Sequence, residues 1–288
     1  MTHAGPMAEL EVRLLLEAIY DRYHYDFRSY AMASLKRRLS QACDALGVAT
    51  LSGLQEKALH EPESFSMLLQ YLTVQVSDLF RDPEFFLALR QQVVPLLATY
   101  PSIKVWCAGC STGEEAYALA ILLHEEGLLD RSIIYATDIN AQSLRMAASG
   151  VFSLSRMRGF TENHRRSGGR GSLSDYYHSA PTTPAQGLGA GDSAIMDSAL
   201  RRKITFSDHS LATDNVFSEV HLVTCRNVLI YFDHALQNRA LRLFSESLVR
   251  GGFLGLGSKE SLRFTDAADL YTEVSIPQRI YRRNGVGV

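Results

Sequence analysis

"VWCAGCSTGEEAY", residues 105–117, decides how the chain is read, and two chemistries compete for it. Trp106-Cys107-Ala108-Gly109-Cys110 has the form Trp-Cys-x-x-Cys, and a Cys-x-x-Cys between a strand and a helix lowers a thiol pKa for redox work. The same stretch carries Gly109 and Gly113, then two glutamates that open an amphipathic run. That is the pattern of a backbone loop wrapped around a nucleotide or nucleoside.

Outward from this stretch, "IKVWCA" is a short apolar strand and "GEEAYALAILLHEEG" a helix ending at Gly127. Downstream, "SIIYATDI", "KITFSD", "EVHLVTC" and "GFLGLGS" are strands, while "AQSLRMAASG" and "HALQNRALRLFSESLVRGG" are helices. "LYTEVSI" and "QRIYRR" form a hairpin around Pro277. Strands alternating with helices predict an α/β sheet, mostly parallel, with an antiparallel end.

Upstream, apolar spacing of three and four predicts helices in "MAELEVRLLLEAIYDRY", "YAMASLKRRLSQACDALG", "SGLQEKALHE" and "ESFSMLLQYLTV". Gly47 is a C-cap, Pro62 sits where a helix start tolerates proline, and Asp82-Pro83-Glu84 opens "RDPEFFLALRQQVVPLLATY". The organisation expected is a helical domain over 1–85 and an α/β domain over 86–288. Within the latter, residues 160–202 are rich in Gly, Ser, Pro and charge, so they form a small inserted subdomain or a long loop.

Composition narrows the function classes. With 46% hydrophobic and 21% charged residues, the chain is ordinary globular protein and long enough to bury a core without disulfides or structural metal. Cys43, Cys107, Cys110 and Cys225 are few and scattered, which fits a reduced cytoplasmic protein. A net charge of −2 gives no bulk attraction to a polyanion, so nucleic acid is a disfavoured partner. The start lacks the basic region of a signal peptide, and no run approaches the roughly 20 apolar residues of a membrane helix. The histidines lack metal-ligand spacing and no oligomer seam stands out; neither a metal site nor an oligomer is expected.

Four signals then line up at successive strand ends, where an α/β sheet binds its ligand. The loop is G-x-x-x-G rather than G-x-G-x-x-G, which disfavours a nicotinamide cofactor. Asp138 closes the second strand, where a carboxylate can accept hydrogen bonds from both ribose hydroxyls. Asn227 follows the strand in "TCRNVLIYFD", and "RGGFLGLGS" is a glycine turn into another strand. Together they fit an S-adenosylmethionine site.

At this point the chain resembles the chemotaxis receptor methyltransferase (CheR) family over nearly its whole length. "YAMASLKRRL" is similar to its helical module, "TVQVSDLFRD" to its junction motif, and "WCAGCSTGEEAY" to its loop. "ATDIN", "CRNVLIYFD" and "LGLGSKESL" continue the match in order. The resemblance implies a Rossmann-like class I methyltransferase sheet behind an all-α N-terminal domain, S-adenosylmethionine as cofactor and S-adenosylhomocysteine as product. It implies methylation of glutamate side chains on the cytoplasmic helices of methyl-accepting chemoreceptors. Another signalling protein as acceptor, or a non-catalytic scaffold, are the competing readings.

Residue by residue, the resemblance implies Arg81 and Tyr231 at the methyl-transfer site. It implies cofactor contacts from Arg81, Gly109, Glu114, Asp138, Asn227 and Val228. Gln75 stands where the family commonly has Asn, Ser77 where it has Thr, and Ser210-Leu211 where it has Asn-Leu; these too are expected at the cofactor. Cys107 and Cys110 then become small buried hydrophobes rather than a redox pair. The resemblance also implies docking of an acidic receptor helix by Lys36-Arg37-Arg38, with Arg22, Arg28 and Lys57 nearby; a solvated charged face is the plainer reading.

Overall fold

The computed structural model describes residues 6–73, 77–181 and 192–285. They fall into two compact units, each containing more than one piece of chain.

The first unit holds Met1–Gln75 with Leu211–Asp214 and Tyr231–Ala240. Its helices are α1 (Pro6–Tyr23), α2 (Met32–Leu46), α3 (Leu51–His60) and α4 (Pro62–Leu72). The predicted caps are in place: Gly47 ends α2 in the left-handed region at φ +65°, and Pro62 is the first residue of α4. The Thr50 hydroxyl accepts the Gly53 N–H, capping α3. Val12, Leu15, Ile19, Leu35, Leu39, Leu54, Leu68 and Leu72 are buried, the apolar stripes that the spacing predicts. The segment around Tyr231 joins this unit by antiparallel pairing. Ala31 N–H donates to Tyr231 O (2.8 Å), Asp233 N–H donates to Ser29 O (2.9 Å), and Tyr30 bridges Phe232.

The second unit opens with α5 (Pro83–Ala88), a π-helical turn (Leu89–Val93) and α6 (Val94–Leu97). The predicted single helix is therefore interrupted in its middle, just ahead of Pro95, which has no N–H to give to a regular ladder. A sheet of seven strands follows, built from β1 (Ile103–Ala108), β2 (Ser132–Asp138), β6 (Ile204–Asp208), β7 (Val220–Cys225), β8 (Leu248–Leu256), β9 (Tyr271–Ser275) and β10 (Ile280–Arg283). Its order is β6-β2-β1-β7-β8-β10-β9. The first five strands are parallel and the β8-β10-β9 end antiparallel, as the alternation predicts. β1 and β7 are buried along almost their whole length, as continuous apolar strands covered on both faces must be.

The helices of this unit are α7 (Glu114–Glu125), α8 (Ala141–Ser149), α9 (Met157–Arg166) and α10 (Ser198–Arg201). α11 (His234–Ser247) passes from the first unit into the second at Leu241. It stops earlier than the glycines at 251–252 suggest. The Ser247 hydroxyl donates back to Leu243 O (2.8 Å), and Leu248 already pairs with Val220 as the first residue of β8. In the glycine-rich stretch, β4 (Tyr177–Pro181) and β5 (Asp192–Met196) form a small antiparallel sheet with β3 (Val151–Ser153), in the order β3-β5-β4. α9 lies beside it and buries Met157, Phe160 and His164. His164 Nε2 and the Glu125 carboxylate are 2.7 Å apart; Arg90 and the Tyr176 hydroxyl also bond Glu125, so a satisfied buried ion network ties α9 to α7.

Candidate active site

β1 is where the strand order reverses, since β2 lies on one side of it and β7 on the other. The loops after β1, β2 and β7 therefore open together at the carboxyl end of the sheet. These three loops carry Gly109, Asp138 and Asn227.

Gly109 has φ +73°, and a Cβ built on it would lie 2.4 Å from Val228 Cγ2. Only a residue without a side chain lets the β1 loop and the β7 loop meet this closely. The loop is also pinned from the other side, because the N–H groups of Gly109 and Cys110 both donate to Thr137 O at 2.8 and 2.9 Å. Gly113 (φ +95°) starts α7, and its missing Cβ would stand 2.9 Å from Ala147 Cβ. The competing redox reading fails here. Cys107 and Cys110 are free and buried, and burial holds both thiols well above the usual cysteine pKa, so neither is a ready nucleophile.

Asp138 accepts N–H bonds from Ser111 (2.8 Å, Oδ2) and Asn140 (2.9 Å, Oδ1). Burial raises its pKa above the usual carboxylate value, although these N–H groups oppose the rise. A carboxylate has about four lone-pair sites, and the Ile139 N–H also engages this one, so acceptor capacity is left for a hydroxyl donor. Asn140 caps α8, its side chain accepting from Gln142 and Ser143, which fixes the turn carrying Asp138.

Glu114 is fully buried, with Oε1 accepting from Arg156 Nη1 (2.8 Å) and Oε2 from the Thr112 hydroxyl (2.7 Å). Arg156 also donates to Ser77 O and to Asp78 Oδ1, so one guanidinium links two residues expected at the cofactor, Ser77 and Glu114. Asn227 sits in the left-handed region at φ +62°. Glu260 holds that turn: its carboxylate accepts the N–H groups of Asn227 (3.1 Å), Val228 (2.9 Å) and Gly257 (2.6 Å). Burial raises the Glu260 pKa against the opposing pull of those N–H groups.

Arg81 is half-buried. Its carbonyl accepts from Arg226 Nη2 (3.0 Å), and Arg226 also reaches Asp82 (2.7 Å) and Glu115 (3.0 Å). The Arg226 side chain is 1% exposed and lies over the Phe85 ring at 4.2 Å, so the backbone that carries Arg81 is anchored by a buried cation. Asp82 pairs with Arg226, and Glu84 pairs with Arg166.

Ser210 follows β6, whose Asp208 is in register with Asp138. Leu211 and Tyr231 belong to the helical unit, where Leu211 is buried and Tyr231 half-buried. Gln75 lies outside the described residues. Arg156, Arg226 and Glu260 are absent from the residues expected from sequence. Arg226 and Glu260 stand inside "CRNVLIYFD" and "LGLGSKESL", but their partners are 144 and 33 positions away, beyond any local pattern. No cluster of metal-binding side chains occurs among the described residues, and no described helix is long and apolar enough to cross a membrane.

Two family models cover the chain: the CheR methyltransferase all-alpha domain over residues 10–73 and the CheR methyltransferase SAM binding domain over residues 75–279. The chain belongs to the CheR methyltransferase family. Among its relatives, a Pseudomonas putida protein designated Cher3 is 57% identical over 96% of this chain and 97% of its own length. A chemotaxis protein methyltransferase of Listeria innocua is 28% identical over 82% of this chain and 84% of its own. A 104.1 kDa protein of Rhodobacter capsulatus is 30% identical over 89% of this chain, which spans 26% of that protein. The CheR assignment agrees with the Rossmann-like sheet and the helical unit described above.

Proposed function

We propose that this chain methylates glutamate side-chain carboxylates of methyl-accepting chemoreceptors, using S-adenosylmethionine and releasing S-adenosylhomocysteine. The observation that carries the reading is the set Gly109, Asp138 and Asn227 at the ends of three adjacent strands, where the strand order reverses. The donor set fits the cofactor. Asp138 keeps acceptor capacity for a ribose hydroxyl, and the Val228 side chain, packed where Gly109 has no Cβ, holds the β1 and β7 loops together beside it. Glu114, Ser77, Ser210, Leu211, Asn227 and Val228 complete the proposed contacts, and Gln75 is proposed with them on the sequence resemblance alone. When bound, the cofactor supplies an electrophilic methyl group on a sulfonium sulfur.

The acceptor needs no general base. A glutamate with a reference pKa of about 4.3 is already ionised at neutral pH. The protein's work is to orient the carboxylate and exclude water. Arg81 holds one carboxylate oxygen by a charge-assisted hydrogen bond and leaves the other free to react. Its anchor, Arg226, fixes the backbone from which it reaches. Tyr231 lines the methyl pocket.

A second acceptor, another signalling protein, is the competing reading, and the cations expected to dock a receptor helix are only partly free for that task. Of the cations proposed to dock an acidic receptor helix, Lys36 is paired with Glu9, Arg28 with Asp26 and Glu17, and Arg38 is buried. Arg37 is exposed.

The test is isothermal titration with S-adenosylmethionine and S-adenosylhomocysteine, followed by transfer of labelled methyl groups to a chemoreceptor cytoplasmic fragment bearing its methylation-site glutamates. Asp138→Ala should weaken cofactor binding roughly 30-fold, about 2 kcal/mol for hydrogen bonds to a charged group. Absence of binding to the wild type sinks the cofactor reading. Binding without transfer to the fragment sinks the receptor and leaves the second acceptor.

A further inference from the structure

Arg38 is the middle of the helical unit's least expected arrangement: a cation, 3% exposed, on a helix whose other buried positions are apolar. An aliphatic side chain would fill the space without desolvating a charge, so the charge itself needs a reason. Its surroundings supply one. Nη1 donates to Leu72 O at the end of α4, 2.5 Å away, where the helix terminus is partly negative. The guanidinium carbon then lies 4.1 Å from the centroid of the Tyr231 ring. Nη2 is buried without a hydrogen-bond partner among the described residues, so the guanidinium is committed to the ring face instead of a full set of acceptors.

Tyr231 is already held by its backbone. Its carbonyl accepts the Ala31 N–H, and the neighbouring Phe232 ring packs on Tyr30 with centroids 5.0 Å apart. These contacts fix the position of the Cα and leave the direction of the side chain open. We propose that Arg38 is a positioning residue for Tyr231, clamping one face of the ring so that the phenol keeps a single direction. The role rests on the reading of Tyr231 as the tyrosine of the methyl-transfer site. It also removes Arg38 from the receptor-docking run in which its sequence neighbours place it.

The experiment uses the full chain labelled with 3-fluorotyrosine, with the Tyr231 fluorine resonance assigned by its loss in Tyr231→Phe. Arg38→Met keeps the length and removes the charge. The Tyr231 line should shift and narrow as the ring begins to flip, and the other tyrosine lines outside the Arg38 contact should stay in place. Methyl transfer to the receptor fragment should fall in kcat on the order of tenfold, with KM for S-adenosylmethionine within about twofold. That loss should vanish on the Tyr231→Phe background, because a residue acting through Tyr231 has nothing left to act on. Arg38→Lys, which keeps the cation and loses the planar stack, should fall between and covers the case that Arg38→Met does not fold. An unmoved Tyr231 resonance in both variants overturns the proposal, as does a full loss repeated on the Tyr231→Phe background. Wild-type turnover in Tyr231→Phe would instead remove the role read for Tyr231, while the fluorine line still decides whether Arg38 orients it.

Discussion

One added methyl group should separate the two reasons for glycine in the β1 loop. Gly109 and Gly127 share a left-handed backbone, at φ +73° and +68°. At Gly127 a new Cβ meets nothing within 4 Å, whereas at Gly109 it would stand 2.4 Å from Val228 Cγ2 and 3.4 Å from Val228 Cβ and Cγ1. Gly127→Ala therefore carries only the backbone cost, about 1–2 kcal/mol. Gly109→Ala carries that cost plus an overlap between two loops tied to the sheet, about 1–3 kcal/mol more. Urea denaturation of both variants should show Gly109→Ala the less stable by this second amount. Val228→Ala removes the Cγ2 methyl that the new Cβ strikes, so the Gly109→Ala/Val228→Ala protein should be less destabilised than the sum of the two single variants. Titration with S-adenosylhomocysteine should find affinity reduced by Gly109→Ala and unchanged by Gly127→Ala. Equal losses of stability at the two glycines would mean that Val228 yields without cost, and the close-approach argument would be wrong.

Two other outcomes follow from buried carboxylates. Glu260→Gln trades an acceptor of backbone N–H groups on both oxygens for an amide that must oppose at least one of them with its own N–H; a loss of about 2–3 kcal/mol is expected in the same denaturation assay, with weaker S-adenosylhomocysteine binding as the Asn227 turn loosens. Unchanged stability and affinity together would refute the role given to Glu260. Burial pushes the Glu125 pKa up, but the His164 bond and the Arg90 charge outweigh it and the net shift is downward. A folded pKa below the unfolded one gives stability that is complete above the unfolded carboxylate range and lost as pH falls through the folded pKa. Glu125→Gln should thus be much less stable than wild type at neutral pH, with the gap narrowing in acid; a gap independent of pH would count against the assignment.

What could be read in advance follows the range of the interactions. Strand ends, helix caps and the left-handed glycines depend on residues a few positions apart, so Gly47, Pro62 and the strands around Gly109 and Asp138 are legible from spacing alone. The end of α11 is not, because Ser247 and Leu248 continue an apolar pattern that suits a helix and a buried strand equally; pairing with Val220 decides it. The site divides in the same way. Asp138 and Asn227 announce themselves by standing at strand ends, one closing β2 and the other just past β7. Arg226 and Arg156 act through partners on remote segments, Asp82 and Glu115 for one, Ser77, Asp78 and Glu114 for the other. Lys36-Arg37-Arg38 shows the reverse case, three cations in a row that the fold sends to three different environments, an ion pair, solvent and the interior.

The helical unit is assembled from three pieces of chain, and two of them arrive late. During synthesis its first 75 residues leave the ribosome long before Leu211–Asp214 and Tyr231–Ala240 exist. The strand-like pairing of Ser29–Ala31 with residues 231–233 closes a loop of about two hundred residues, a slow event for a chain growing from its N-terminus. A nascent or truncated N-terminal fragment is therefore missing a seam, and chaperones or proteases meet it in that state. Ordering of the Tyr231 backbone correspondingly waits until the chain has been made past residue 233.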